Sequence, residues 1–179
     1  MAAACSCGIG PTDGGNEAQP DAARRDVAEQ VAAPTDDAQR LAGPARIIDG
    51  DSISVDGESV RLIGIDACEM NQVAEAPEGP WRCGLSARAR VIELTEGHEV
   101  TCRWSERDIY DRLLARCEAD GRDIGAQLVT EGLAVVYRHE GRPTAPELVP
   151  LEETARREGR GLWGSTFEDP KDYRRRNRR

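Results

Sequence analysis

Three groups of charged residues lie at the ends of predicted strands, positions from which side chains can reach a cleft. They are residues 49–51 (DGD), Arg61 with Asp66 and Glu69, and residues 108–112 (DIYDR). Carboxylates supply hard oxygen ligands that suit Ca²⁺ and do not suit Zn²⁺. Guanidinium groups offer paired donors to two phosphate oxygens. These residue types are able to bind a divalent cation and a phosphate ester.

Hydrolysis of a phosphodiester makes three demands on such a site. Because the anionic oxygens repel an attacking hydroxide, a catalyst must neutralise charge, supply the hydroxide and stabilise five-coordinate phosphorus. Each group also has an ordinary structural explanation, since Asp-Gly pairs are usually turns and strand arginines are usually solvated. The presence of all three groups in order within residues 49–112 favours the catalytic interpretation.

The strands that would position these residues begin at about residue 45. Short β-branched runs separated by two Asp-Gly pairs predict three antiparallel strands within residues 45–65. A second hairpin is predicted from residues 99–104 and 113–117, with its turn centred between residues 109 and 110. A further strand is predicted at residues 133–137.

Helical periodicity predicts three helices, at residues 85–96, 124–131 and 145–159. The predicted buried faces of the first and last helices contain Leu85, Ala89 and Ile92, and Leu148, Leu151 and Ala155, respectively. The predicted strands are few and lack a long apolar face, which favours a closed barrel over an open sheet. The predicted fold class is therefore α+β, an OB-fold five-stranded β-barrel with about three helices.

The sequence resembles the thermonuclease family, the staphylococcal-nuclease-like domains, from about Arg46 to Trp163. Five segments in order carry the resemblance: 48–52 (IDGDS), 61–69 (RLIGIDACE), 108–112 (DIYDR), 128–134 (LVTEGLA) and 161–163 (GLW). The resemblance implies an OB barrel with three helices and calcium-dependent hydrolysis of DNA and RNA phosphodiesters.

The resemblance also implies a set of metal ligands. Asp51 and Asp66 would bind Ca²⁺ through their carboxylates, and residue 67 would contribute its main-chain carbonyl. The family usually has threonine at this last position, and Ala67 keeps the carbonyl.

Four further residues match the family's catalytic and substrate-binding positions. Glu69 would act as a general base or orient the attacking water. Arg61 and Arg112 would clamp the phosphate, and Tyr110 would contact it. The predicted function is a calcium-dependent nuclease with little sequence specificity. The alternatives are a non-catalytic OB-fold nucleic-acid-binding module, which would be expected to lack Glu69 or one arginine, and a redox or structural domain.

Three features depart from the family pattern. Cys68 replaces the usual proline, and Asp111 replaces the usual glycine before the second arginine. Aspartate tolerates a left-handed turn position, so the backbone can survive this change. Residues 71–82 form an acidic, proline-containing insertion in place of a basic loop. These departures bear on affinity and substrate preference more than on the reaction class.

The domain contains four cysteines, which form no Cys-x-x-Cys pair. If the second hairpin turns between residues 109 and 110, Cys102 and Cys117 face each other, and a disulfide becomes possible. Cys68 would then pair with Cys83 and close the loop next to Glu69. The alternative is that all four are buried free thiols.

Charge is distributed unevenly along the 179 residues. The net charge of −9 excludes a uniformly basic binder, and no run approaches the roughly 20 apolar residues of a membrane span. We predict a disordered acidic linker at residues 1–42, the nuclease-like domain at 43–165 and a basic C-terminal tail at 166–179. Residues 174–179 are expected to be disordered, and either to solubilise the chain or to contact phosphates.

Paired cysteines favour an extracytoplasmic location, with the cytoplasm as the alternative. The sequence Ala3-Ala4-Cys5 before a polar linker looks like the cleavage end of a bacterial lipoprotein signal whose upstream part is missing. We therefore hypothesise a trimmed or misassigned start, and membrane attachment only through a lipidated Cys5. The expected partners are DNA and/or RNA as substrate, and we expect a monomer.

Overall fold

The computed structural model describes residues 39–177, so the predictions for residues 1–38 and the lipidation of Cys5 lie outside the described residues. Within that range the chain forms thirteen short strands and four α-helices. The strands are β1 (Gln39–Gly43), β2 (Ala45–Ile47), β3 (Ser52–Val55), β4 (Glu58–Leu62), β5 (Ile65–Ala67), β6 (Ala74–Ala76), β7 (Gly79–Trp81), β8 (Val100–Arg107), β9 (Leu113–Ala119), β10 (Arg122–Asp123), β11 (Ala134–Val136), β12 (Arg138–His139) and β13 (Arg142–Pro143). The helices are α1 (Cys83–Thr95), α2 (Ile124–Thr130), α3 (Val149–Arg157) and α4 (Pro170–Asn177).

The main sheet closes on itself through a bent first strand. Its order is β1-β8-β9-β4-β3-β2, and β4 and β9 pair in parallel. The two edge strands, β1 and β2, are consecutive in the chain and are separated only by Pro44. Because proline has no N–H for the ladder, the strand bends there and pairs with β8 on one side and β3 on the other. The predicted α+β class with an OB-like, sheet-rich fold is confirmed. The main sheet has seven strands, counting β10 beside β9, and the described residues form four α-helices, compared with the predicted five strands and about three helices.

Strand β1 begins inside the segment that the sequence assigns to the N-terminal linker. Gln39 pairs with Trp104, and the ladder continues to Gly43 opposite Val100. The folded part of the chain therefore begins no later than Gln39, four residues before the predicted boundary. The sequence shows this strand poorly because it is short and half exposed.

The hairpin of β8 and β9 contains the predicted cysteine pair, with Cys102 opposite Cys117. A β-bulge lies between Trp104 and Glu106, so that Glu106 pairs with Leu114. The extra residue moves the centre of the turn from between residues 109 and 110 to residue 110. The register is therefore as predicted at the cysteines and shifted by one residue at the tip.

Helix α1 buries a different face from the predicted one. Leu85, Ala89 and Ile92 are exposed, and the buried residues include Ala87, Val91 and Leu94. The small residues on the buried face let the helix approach the barrel closely: a Cβ on Gly50 would lie 2.8 Å from the Cβ of Ala87. The buried face of α1 is therefore the one whose small residues allow close packing on the barrel, and not the one with the largest apolar side chains.

The C-terminal part of the chain also differs from its prediction. The predicted face of the last helix, Leu148, Leu151 and Ala155, is buried as expected. The segment from Pro170 to Asn177, however, forms helix α4, so the prediction of a disordered tail is wrong for residues 174–177. No helix within residues 39–177 is long and apolar enough to span a membrane.

Candidate active site

The base of the cleft consists of two buried carboxylates joined by one arginine. Asp51 lies just after a turn in which Asp49 Oδ1 accepts hydrogen bonds from the N–H groups of Asp51 (3.0 Å) and Ser52 (2.7 Å). Asp66 lies in the middle of the fully buried strand β5. Arg61 of β4 donates from Nη1 to Asp51 Oδ1 (2.8 Å) and from Nη2 to Asp66 Oδ1 (3.1 Å). One guanidinium therefore holds the two carboxylates together.

The environment of these carboxylates favours a bound positive charge. Asp51 is 5% exposed and Asp66 is 1% exposed. Burial raises the pKa of Asp51 to about 6, although Arg61 acts in the opposite direction. The N–H of Ala67 donates to Asp51 Oδ2 at 3.1 Å, so residue 67 lies beside Asp51. Removing charges from water is costly unless they are paired, so this cluster requires cations.

Glu69 lies on a loop that three features hold in place. Its backbone N–H donates to Oε1 of the buried Gln72 (3.1 Å), whose Nε2 donates to the carbonyl of Glu168 (2.7 Å). Cys68 is joined to Cys83 by a disulfide. Gly84 packs directly on the loop, since a Cβ there would lie 2.0 Å from the carbonyl oxygen of Glu69. The loop is thus attached to α1 and to the segment before α4.

We expect removal of the Cys68–Cys83 disulfide to lower both stability and activity. The cysteines are 15 positions apart, and a ring of this size contributes about 3 kcal/mol to the free energy of unfolding in the chain-entropy model. A double alanine variant should lose about that much in urea unfolding and should also hydrolyse its substrate more slowly, because the Glu69 loop is freed.

The second disulfide provides a matched control. Cys102 and Cys117 are also 15 positions apart, in the β8–β9 hairpin. Their double alanine variant should lose stability but keep more of its activity than the first. Equal losses of activity in the two variants would contradict a special role of the Cys68–Cys83 ring.

The tip of the β8–β9 hairpin holds Arg112 over the cleft. Asp108 Oδ1 accepts from the N–H groups of Tyr110 (2.9 Å) and Arg112 (3.0 Å), and Oδ2 accepts from Arg112 Nε (2.8 Å). Burial would raise the pKa of Asp108, but these bonds outweigh it and lower the pKa. Asp111 has a φ of 63°, so aspartate does occupy the left-handed position expected from the sequence. The guanidinium carbon of Arg112 lies 5.5 Å from the centre of the exposed Tyr110 ring.

The predicted residues meet in one open cleft of about 570 Å³. Its lining includes Asp51, Arg61, Glu69, Tyr110 and Arg112. Asp66 and Ala67 lie beneath it and contact Arg61 and Asp51, respectively. The structure therefore brings together every residue for which the sequence predicts a role in catalysis or in metal or substrate binding.

Sequence reasoning assigned no role to three residues of the site. Arg174 also lines the cleft, Gln72 anchors the Glu69 loop, and Asp108 orients Arg112. The signal for Arg174 is the basic run at the C-terminus, which the sequence analysis treats as a tail. Asp108 lies in the conspicuous DIYDR segment, but its bonds to Arg112 depend on the conformation of the turn.

The donor atoms of the cleft fit a hard divalent cation. Asp51 and Asp66 offer carboxylate oxygens, the donor type that Ca²⁺ and Mg²⁺ prefer. Among residues 39–177, no group of three or more His, Cys, Asp or Glu side chains is arranged to hold a metal ion. The ligand set predicted from the sequence is of a different kind, because it combines two carboxylates with a main-chain carbonyl.

Comparison with known proteins identifies the family. The family described as staphylococcal nuclease homologue matches residues 59–165, which is more than half of the chain. The chain belongs to this family. The match includes Arg61, Asp66, Glu69 and Arg112, and it begins after Asp51.

Relatives of this staphylococcal nuclease homologue include proteins named as nucleases. It is 35% identical over 144 residues to the micrococcal nuclease of Shigella flexneri, and the aligned region covers 73% of this chain and 78% of the relative. It is 35% identical to an uncharacterized endonuclease of Escherichia coli O157:H7, covering 66% and 73%. It is also 34% identical to the succinoglycan biosynthesis protein ExoI of Rhizobium meliloti (strain 1021), covering 70% and 66%. The predictions of a thermonuclease-like family and of a nuclease are confirmed.

Proposed function

We propose that this staphylococcal nuclease homologue hydrolyses phosphodiester bonds of DNA and/or RNA in the cleft described above, with Ca²⁺ as its cofactor and little sequence specificity. One observation carries the proposal: Asp51, Arg61, Glu69 and Arg112 line the same cleft, and Asp66 is bonded to Arg61 beneath it. The alternative of a non-catalytic binding module offers no reason for Glu69 to lie beside these groups.

The residues of the cleft have two roles: some bind the phosphate and one transfers a proton. Arg61 approaches the cleft from strand β4 and Arg112 from the tip of the β8–β9 hairpin, so their planar forks can bind two sides of one phosphate. Arg112 Nη1 contacts Ser52 Oγ at a long 3.5 Å, which leaves this donor available for a stronger acceptor. Asp51 and Asp66 would hold the metal ion, and the charge it would supply there would leave Arg61, which now bonds both carboxylates, available to the phosphate.

Glu69 acts on the attacking water. Its side chain is 36% exposed at the edge of the cleft, so it is within reach of solvent while its loop is held fixed. A carboxylate in this position accepts the proton of the water or orients it for attack. When bound, Ca²⁺ supplies positive charge to the phosphate oxygens and lowers the pKa of a water in its coordination shell.

Removal of divalent metal should abolish activity. We expect degradation of plasmid DNA and of RNA in Ca²⁺, none in excess EDTA, and recovery when Ca²⁺ is added back. A parallel preparation of Glu69→Gln controls for contaminating nucleases. Activity that persists in EDTA would contradict the proposal, whereas recovery with Mg²⁺ but not Ca²⁺ would contradict only the choice of cofactor.

The location of the protein is part of the same proposal. The two disulfides, Cys68–Cys83 and Cys102–Cys117, support an oxidising, extracytoplasmic compartment. Attachment through a lipidated Cys5, and a monomeric state, stay predictions. Mass spectrometry of the native protein would contradict lipid attachment if it found an unmodified Met1 in the soluble cytoplasm.

A further inference from the structure

Helix α4 places one arginine on the carboxylates of the cleft. Arg174 donates from Nη1 to Asp66 Oδ1 (2.8 Å) and from Nη2 to Asp66 Oδ2 (2.8 Å), and Nη1 also reaches Glu69 Oε1 (3.2 Å). Its side chain is 25% exposed, compared with 79% for Arg175 and 61% for Arg176. Arg174 alone among these three neighbours therefore points into the cleft.

This contact uses the atoms that a metal ion would need. Both carboxylate oxygens of Asp66 accept from Arg174, and Oδ1 accepts from Arg61 as well. Ca²⁺ coordinates oxygens at 2.3–2.6 Å, which brings it within the space of a guanidinium that bonds the same oxygens. Two positive groups at that distance would also repel each other. Arg174 and a metal ion on Asp66 would therefore compete for the same carboxylate oxygens.

The rest of α4 is built so that Arg174 can leave without unfolding the barrel. The only buried residue of the helix is Pro170, at its first position. The preceding segment is held independently, because the carbonyl of Glu168 accepts from Gln72. Arg176 pairs with Glu168 outside the cleft (2.6 Å). A helix of eight residues has little stability of its own, so its position depends on side-chain contacts such as that of Arg174.

We propose that Arg174 is an internal occupant of the cation site, which competes with the divalent metal and must withdraw before the metal binds. This inference rests on the proposed function, because it takes Asp66 to be a metal ligand. In the metal-free protein Arg174 balances the buried charge of Asp66 and donates to Glu69 Oε1. The fraction of molecules in which Arg174 has withdrawn then sets the apparent affinity for the metal.

Calorimetric titration with Ca²⁺ in the absence of nucleic acid tests this competition. Arg174→Gln should bind Ca²⁺ about tenfold more tightly than the wild type if the open form is a minority of about one tenth. Arg174→Lys should fall between them, since an ammonium cannot bond both oxygens as a planar fork does. Arg175→Gln is the matched control: it removes one positive charge from the same helix without touching the cleft, and its affinity should equal that of the wild type.

A second measurement follows α4 itself. Hydrogen exchange of the amides of residues 171–177 in the wild type should become faster when Ca²⁺ is added, whereas exchange in Arg174→Gln should already be fast without it. Thermal unfolding in EDTA verifies that each variant is folded. Equal or weaker Ca²⁺ binding by folded Arg174→Gln would overturn the inference and leave the nuclease proposal intact. Absence of binding by every variant, with Ca²⁺, Mg²⁺ and Mn²⁺ alike, would overturn both.

Discussion

Replacing Glu69 with glutamine is expected to lower kcat by about 10²- to 10⁴-fold, the usual contribution of a general base. Glutamine has nearly the same shape but cannot accept a proton from the attacking water. Among residues 39–177, the Glu69 side chain makes one ion pair, to Arg174 at 3.2 Å, and the loop is held through the backbone, so the variant should fold normally. Steady-state hydrolysis of a defined oligonucleotide in saturating Ca²⁺ measures the loss.

Two comparisons show whether the loss comes from proton transfer. Glu78→Gln removes an exposed carboxylate from the same disulfide-closed loop, and its kcat should match the wild type. Calorimetry should give Glu69→Gln a Ca²⁺ affinity no weaker than that of the wild type, because Asp51 and Asp66 are intact. A kcat within tenfold of the wild type, or a loss of activity that excess Ca²⁺ restores, would show that Glu69 is not the base.

Local sequence patterns were sufficient to predict the convergence of those site residues that lie near one another in the chain. Arg61 and Asp66 are five residues apart on a strand and its neighbour, and a short turn aims Asp51 at both. A tight turn between strands fixes where such residues point, so the motif alone predicts that they converge. The pairing of Cys102 with Cys117 follows from the hairpin register in the same way.

The sequence could not reveal contacts that depend on how distant elements pack. Arg174 and Asp66 are 108 residues apart, and the composition of the C-terminus, rich in arginine and poor in apolar residues, is typical of a solvated tail. The partner that orders it is a buried carboxylate, which no pattern within the tail indicates. A tertiary ion pair thus overrides the local preference.

The buried face of α1 was missed for a different reason. Hydrophobic periodicity weights large side chains such as Leu85 and Ile92, yet the barrel accepts Ala87 because its Cβ approaches Gly50 closely. The distance between the helix and the barrel depends on the surfaces of both, and the hydrophobic periodicity of the helix contains no information about the surface of the barrel. The same close packing at Gly84 positions Glu69.

Replacing Arg112 with alanine is expected to lower kcat/KM by about 10²- to 10³-fold, the loss typical of removing one preorganised donor to developing negative charge. Asp108 holds the guanidinium through Nε and Nη2 and thereby aims it across the cleft. Arg112→Lys should recover only part of the activity, because an ammonium keeps the charge but not the planar fork. Initial rates at low substrate concentration and fixed salt give kcat/KM directly.

The control must separate loss of a specific donor from loss of one positive charge near a polyanion. Arg103→Ala removes an exposed arginine from strand β8 of the same hairpin, away from the cleft. Its effect should be small and should disappear at high salt, since screening weakens contacts between exposed charges. The loss in Arg112→Ala should persist at high salt, because the donor acts at the reacting phosphate. If the activities of the two variants depended on salt in the same way, Arg112 would contribute only general electrostatic attraction. It would then not be one of the two residues that bind the reacting phosphate.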